Sequence, residues 1–109
     1  MQSKIELQNI EPKEIMPGFR GRFLHTGQLT LAYWNIDASA ALPLHDHPHE
    51  QVVNVLEGEF ELTFDGHPHH LTAGDVFILQ PGVPHSGRAI TACRILDIFH
   101  PVRSDYQDE

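Results

Sequence analysis

Apolar and polar residues alternate along this chain in short stretches, and turn-forming residues interrupt them before a helical period can build. Phe60, Leu62 and Phe64 share one side of an extended segment, while Glu59, Glu61, Thr63 and Asp65 share the other. That period of two is what a strand with one covered face requires. Residues 29–37 and the valine-rich 51–56 read the same way, 76–79 is a short apolar run, and 91–99 is a long final strand. Between them Pro43, Pro48, Gly58, Gly66, Pro68, Gly74, Pro81, Gly82 and Pro84 leave no room for a helix. Closely spaced strands joined by turns predict an all-β sandwich or barrel. The expected domain is single, spanning 1–109 with its core over about 18–100. A polar, acidic tail at 104–109 is expected to fray unless a partner holds it.

At 109 residues and 12.3 kDa the chain suits one core of ordinary size. Seven basic against fifteen acidic residues give a formal charge of −8. Such a chain repels the nucleic-acid backbone, and no basic run offsets this. No apolar stretch is long enough for a membrane helix, and the first dozen residues lack the apolar run of a signal peptide. The single cysteine, Cys93, has no internal partner and is expected to pack in the core. These features predict a cytoplasmic protein with neither nucleic acid nor membrane as partner. No phosphate loop, dinucleotide fingerprint, Cys-x-x-Cys or Gly-x-Ser-x-Gly is present.

Nine histidines are the unusual count. The densest stretch is His45-Asp46-His47-Pro48-His49-Glu50-Gln51. On one extended strand His45 and His47 point the same way, and Gln51 shares their parity. About thirty residues on, the Pro81-Gly82 turn can aim His85 back at the same cavity. Imidazole suits Zn, Cu, Ni and Fe, and an amide oxygen adds a hard ligand. His45, His47, Gln51 and His85 are therefore the expected ligands of one divalent ion per chain, with His49 the rival to Gln51. Such a set carries no negative charge, so it leaves a strong Lewis acid that attracts anions. His67, His69 and His70 flank Gly66 and Pro68 in an expected turn and read as surface residues.

Four further polar residues bear on the site. Asp97 shares a face of the last strand with Cys93, Ile95 and Phe99, where a buried carboxylate is costly unless paired or used. It serves either as an acid or base beside the metal, or in a salt bridge to Arg94, Arg103 or Arg20. Arg103, past Pro101, can offer a guanidinium fork to a substrate carboxylate or lie solvated in the tail. Arg20 and Arg22 share a face around Gly21 and predict either an anion site or an ion pair with the acidic strand 59–65. Tyr33 and Trp34 take opposite faces, one of them lining the cavity.

The two histidine elements resemble the motifs of the cupin family. His45-x-His47-x-x-x-Gln51 with Gly58 matches the first motif, and Gly74, Gly82 and His85 match the second. Gln80 stands where that family usually has proline, and Ala89 where it often has asparagine. The resemblance implies a small antiparallel jelly-roll β-barrel with metal inside. The string around His45–Gln51, and Asp97-Ile98-Phe99-His100-Pro101-Val102-Arg103-Ser104-Asp105-Tyr106, are further similar to small cupins that open unsaturated uronate rings. That likeness implies Asp97 and Arg103 as catalytic residues and Phe99 as a substrate-binding one; Arg20 and Arg22, as the candidate anion site, are expected to join Phe99 in binding substrate. The implied metal is Ni, Zn, Fe, Mn or Co, and the implied partner a small anionic molecule. Other cupins are dioxygenases or bind ligands without turnover, so both readings stand beside the lyase- or isomerase-type enzyme. A barrel this small exposes strand edges, and pairing them about a two-fold axis predicts a homodimer.

Overall fold

Ten strands build the chain in a computed structural model that describes residues 2–107. They are β1 (Lys13–Met16), β2 (Phe19–His25), β3 (Thr30–Ile36), β4 (Ala41–His45), β5 (Glu50–Glu57), β6 (Glu59–Phe64), β7 (His67–Thr72), β8 (Val76–Leu79), β9 (His85–Ala89) and β10 (Cys93–His100). Two 3-10 turns, Leu7–Asn9 and Ser104–Tyr106, flank them. A six-stranded sheet runs β1-β2-β3-β10-β5-β8 and a four-stranded sheet β4-β9-β6-β7. Every pairing is antiparallel. This is the expected all-β jelly roll. Among the described residues no helix is long and apolar enough to cross a membrane.

The alternation read from the sequence decides which side chains fill the barrel. In β10 the odd positions Cys93, Ile95, Asp97 and Phe99 are buried, and the even ones are partly or fully exposed. Phe60 and Leu62 of β6 face them from the other sheet, within one core that includes Phe19, Trp34, Ile36, Val55 and Leu79. Burial of these side chains supplies the main driving force of folding.

Five strands lack a clear apolar alternation and were not expected: β1, β2, β4, β7 and β9. They form because backbone pairing with a neighbour overrides weak local preference. His67, His69 and His70 therefore lie in β7 and not in a turn, although His67 and His70 are exposed as surface residues are. His69 stacks on Phe77, 5.1 Å between centroids, and His70 pairs with Glu59 at 2.9 Å.

The histidine string also differs from expectation. Of its histidines only His45 lies in a strand, and His47 sits in the loop between β4 and β5. The tail is likewise held within the chain as far as Tyr106, whose ring packs 4.7 Å from Phe23. Residues 108 and 109 of the tail lie outside the described residues.

Candidate metal centre

His45 ends β4, His85 opens β9 opposite it in register, and Gln51 lies near the start of β5 beside Phe99 of β10. The three strand ends meet at one mouth of the barrel, and the turn after β4 brings His47 to them. Metal-ligating atoms of His45, His47 and His85 lie within 4.8 Å of one another. His85 is 1% exposed, and His47 and Gln51 are buried.

The donor atoms fit a divalent ion. Pro43 O lies 2.9 Å from His45 Nδ1 and Val83 O 2.9 Å from His85 Nδ1. Each carbonyl accepts a hydrogen bond from Nδ1–H and so leaves Nε2 as a bare lone pair, the arrangement seen in metal-bound imidazoles. His85 Nε2 is buried without a hydrogen-bond partner. His47 Nε2 lies 2.9 Å from Gln51 Oε1. Neighbouring corners around an ion with bonds of about 2.1 Å are about 3 Å apart, so both atoms can serve one ion. Burial, together with the charges of Arg103, His85 and His45, takes the His47 pKa down to about 4 despite the Gln51 contact. Burial lowers that of His85 as well. Both rings are thus held neutral, the form that ligates metal.

His49 is placed differently. Its ring is 5.5 Å from that of His47 and lies against Phe99, and its nitrogens do not join the group of three. The structure therefore brings Gln51, and not His49, to the cluster.

Asp97 lies one step deeper, in register with Val53 and Ala32. Trp34 Nε1 donates to its Oδ2 at 3.1 Å, and its Oδ1 is buried without a partner. Burial pushes its pKa up to about 6, against the pull of Gln51, Trp34 and Arg103. The salt-bridge alternative does not form: Arg94 pairs with Glu57, Arg20 with Asp37, and Arg103 with Asp105. Trp34 is the member of its pair that lines the cavity, and Tyr33 faces outward.

Arg103 is buried, stacked 4.7 Å from the centroid of Phe99 and 4.1 Å from that of Tyr106. Its backbone N–H donates to Thr30 Oγ1 at 2.8 Å. Its Nε and Nη2 are bound to the Asp105 carboxylate at 3.1 and 2.6 Å. The expected two-pronged grip on a substrate is therefore taken by Asp105, which leaves Nη1 for a ligand. Reading along the chain missed Thr30, Trp34, Asp105 and Tyr106 as supports. Only the parity of Trp34 and the aromatic at 106 hinted at them.

Arg20 and Arg22 do not reach this mouth. Arg20 Nη2 holds exposed Asp37 at 2.6 Å, and Arg22 Nε donates to Ile10 O at 2.9 Å. Both stand on the outer face of β2, because the parity that pairs them also turns them away from the barrel. They neither pair with strand 59–65 nor line the cavity. Phe99 does line it.

The Cupin domain family matches residues 32–99, which contain both histidine elements and Asp97. This chain belongs to the cupin family. Among solved structures, the RmlC-like cupin of Shewanella frigidimarina is 31% identical, with TM-score 0.91, over 98% of this chain and 97% of the other. KdgF from Halomonas sp. is 25% identical, also with TM-score 0.91, over 98% of this cupin and all of that one (100%). Among curated proteins, the HTH-type transcriptional regulator PuuR of Escherichia coli (strain K12) is 40% identical over 57 residues. That match takes in 50% of this chain and 31% of the regulator, so the likeness concerns under a third of the latter's length.

Proposed function

We propose that this cupin is a metal-dependent enzyme acting on a small anionic carbohydrate, such as an unsaturated uronate, in a lyase- or isomerase-type reaction. The carrying observation is that three imidazoles converge beside a buried carboxylate with a free oxygen. His45, His47, His85 and Gln51 would hold the ion. A bound divalent ion, whether nickel, zinc, iron, manganese or cobalt, would supply Lewis acidity toward a ring or hydroxyl oxygen. Neutral ligands leave its charge to attract the substrate anion.

Arg103 Nη1 orients the substrate carboxylate, and the Phe99 and Tyr106 rings hold the guanidinium in place. Asp97 Oδ1 takes and returns a proton, and the burial that raises its pKa suits a group that works in both directions. Two copies form a homodimer.

Elemental analysis of the purified protein, followed by an ultraviolet assay for loss of the conjugated double bond of an unsaturated uronate, tests this reading. Asp97→Asn is expected to keep the metal and lose turnover. Persistent absorbance with metal-loaded protein removes the uronate. Turnover with zinc excludes the dioxygenase alternative, which needs a redox-active ion. A second reading rests on the likeness to PuuR: a ligand-binding module without turnover, in which a small anion binds and is released unchanged.

A further inference from the structure

The strand registers order the barrel interior into successive layers below the histidines. The first layer holds His45, His85, Gln51 and Phe99. In the next, Leu42, Gly87 and Leu62 lie in one register row and Val53, Asp97 and Ala32 in the other. Beyond Asp97 come Ile95, Trp34, Phe60 and Ala89, and then Phe19, Ile36 and Cys93. One cavity of about 50 Å³ runs through these layers. Met16, Phe19, Ile36, Leu42, Leu62 and Ile95 line its inner part.

That inner part offers a ligand almost nothing polar. The Trp34 N–H is already given to Asp97, and the Cys93 thiol to the carbonyls of Glu59 and Thr91. A hydroxyl pushed past Asp97 would lose its water without finding a partner. At the other end stand His45, His47, His85 and Gln51, whose bound cation would attract an anion, and the Arg103 guanidinium. By volume the cavity takes roughly three to five water-sized groups.

We propose that this site binds amphipathic carboxylates: the carboxylate lies at the histidine and Arg103 end, and an apolar portion of a few carbons enters the inner chamber. This rests on the reading of the histidine end as an anion site and adds which face of the ligand points inward.

Calorimetric titration of the cobalt(II)-loaded protein with acetate, propionate, butyrate, pentanoate and hexanoate tests it, with 3-hydroxybutyrate and glycerate as hydroxylated counterparts. Affinity is expected to rise about fourfold per methylene until the chamber is full, and then to level or fall. The hydroxylated acids bind more weakly than their parents, and the methyl NMR signals of Leu62 and Ile95 move with chain length. Leu42→Phe shifts the optimum to a shorter acid and Leu42→Ala to a longer one, so either variant suffices if the other does not fold. Affinity independent of chain length, or tighter binding of the hydroxylated acids, overturns the inference while the anion site stands. Absence of binding by every acid, acetate included, overturns the anion site itself and this inference with it.

Discussion

Two of the three clustered histidines owe their role to one hydrogen bond each. A carbonyl on Nδ1 of His45 and of His85 settles which nitrogen is left bare, and burial keeps His47 and His85 uncharged. Replacing a residue that merely orients a ligand costs about 10- to 100-fold in metal affinity, so removing a ligand costs more. His85→Ala, His45→Ala and His47→Ala are each expected to weaken metal binding by at least about 100-fold, read by competition with a chromophoric chelator. His49→Ala is expected to leave it within a few-fold. Asp97 carries a second test at this scale. In metal-free protein the pKa of His47 falls from 6.5 to about 4, so between those values the unfolded chain binds the extra proton and stability rises with pH. The pKa of Asp97 rises from 3.8 to about 6, so in nearly the same window the folded chain holds the extra proton and stability falls with pH. The two slopes oppose each other. Asp97→Asn removes the falling one, and its melting temperature should climb more steeply than wild type from pH 4 to 6.

At the scale of elements, the site depends on how strands are joined. Gly58 alone links β5 in one sheet to β6 in the other, with φ at +90°. A Cβ there would come within 2.2 Å of Ala92 O. Gly58→Ala is expected to cost about 1–3 kcal/mol from backbone strain alone, seen as a lower urea midpoint. The last 3-10 turn is the other critical join. Its Asp105 and Tyr106 hold Arg103 by its fork and by its face. Tyr106→Ala should free the guanidinium while keeping its charge. A roughly tenfold loss of carboxylate affinity with metal content unchanged is the expected result in calorimetry. An unchanged affinity would show that the stack does not position Arg103.

At the scale of the whole molecule, the two faces of the six-stranded sheet differ in purpose. The inner face builds the barrel. Across the outer face Leu24, Leu31, Ile98, Val52 and Ile78 form one register row through five strands. Ile78 and Val76 at the β8 edge are each 57% exposed. A continuous apolar row of this kind is unusual on a monomer, and a second copy meeting it about a two-fold axis would cover it. Sedimentation equilibrium is expected to give a dimer for the wild type and a monomer for Ile78→Lys, with little loss of fold because the side chain is exposed. A monomeric wild type would remove the homodimer.

Much of this was legible along the chain, because it depends on periods and spacings that survive without a fold. Alternation at 59–65 and 91–99 assigned the inward faces and put Asp97 among apolar neighbours. The spacing of His45, His47, Gln51 and His85 named the cluster. The strands β1, β2, β4, β7 and β9 were not legible, since their pairing energy comes from neighbours distant in sequence. Nor was the fate of the arginines: parity grouped Arg20 with Arg22 correctly but could not say which side of the sheet was outside. Charge partners such as Asp37 and Asp105, the Trp34 bond to Asp97 and the depth of the apolar chamber arise only when separate strands come into register. A strand's own residues dictate its alternation, whereas the position of a side chain in the barrel depends on every strand beside it.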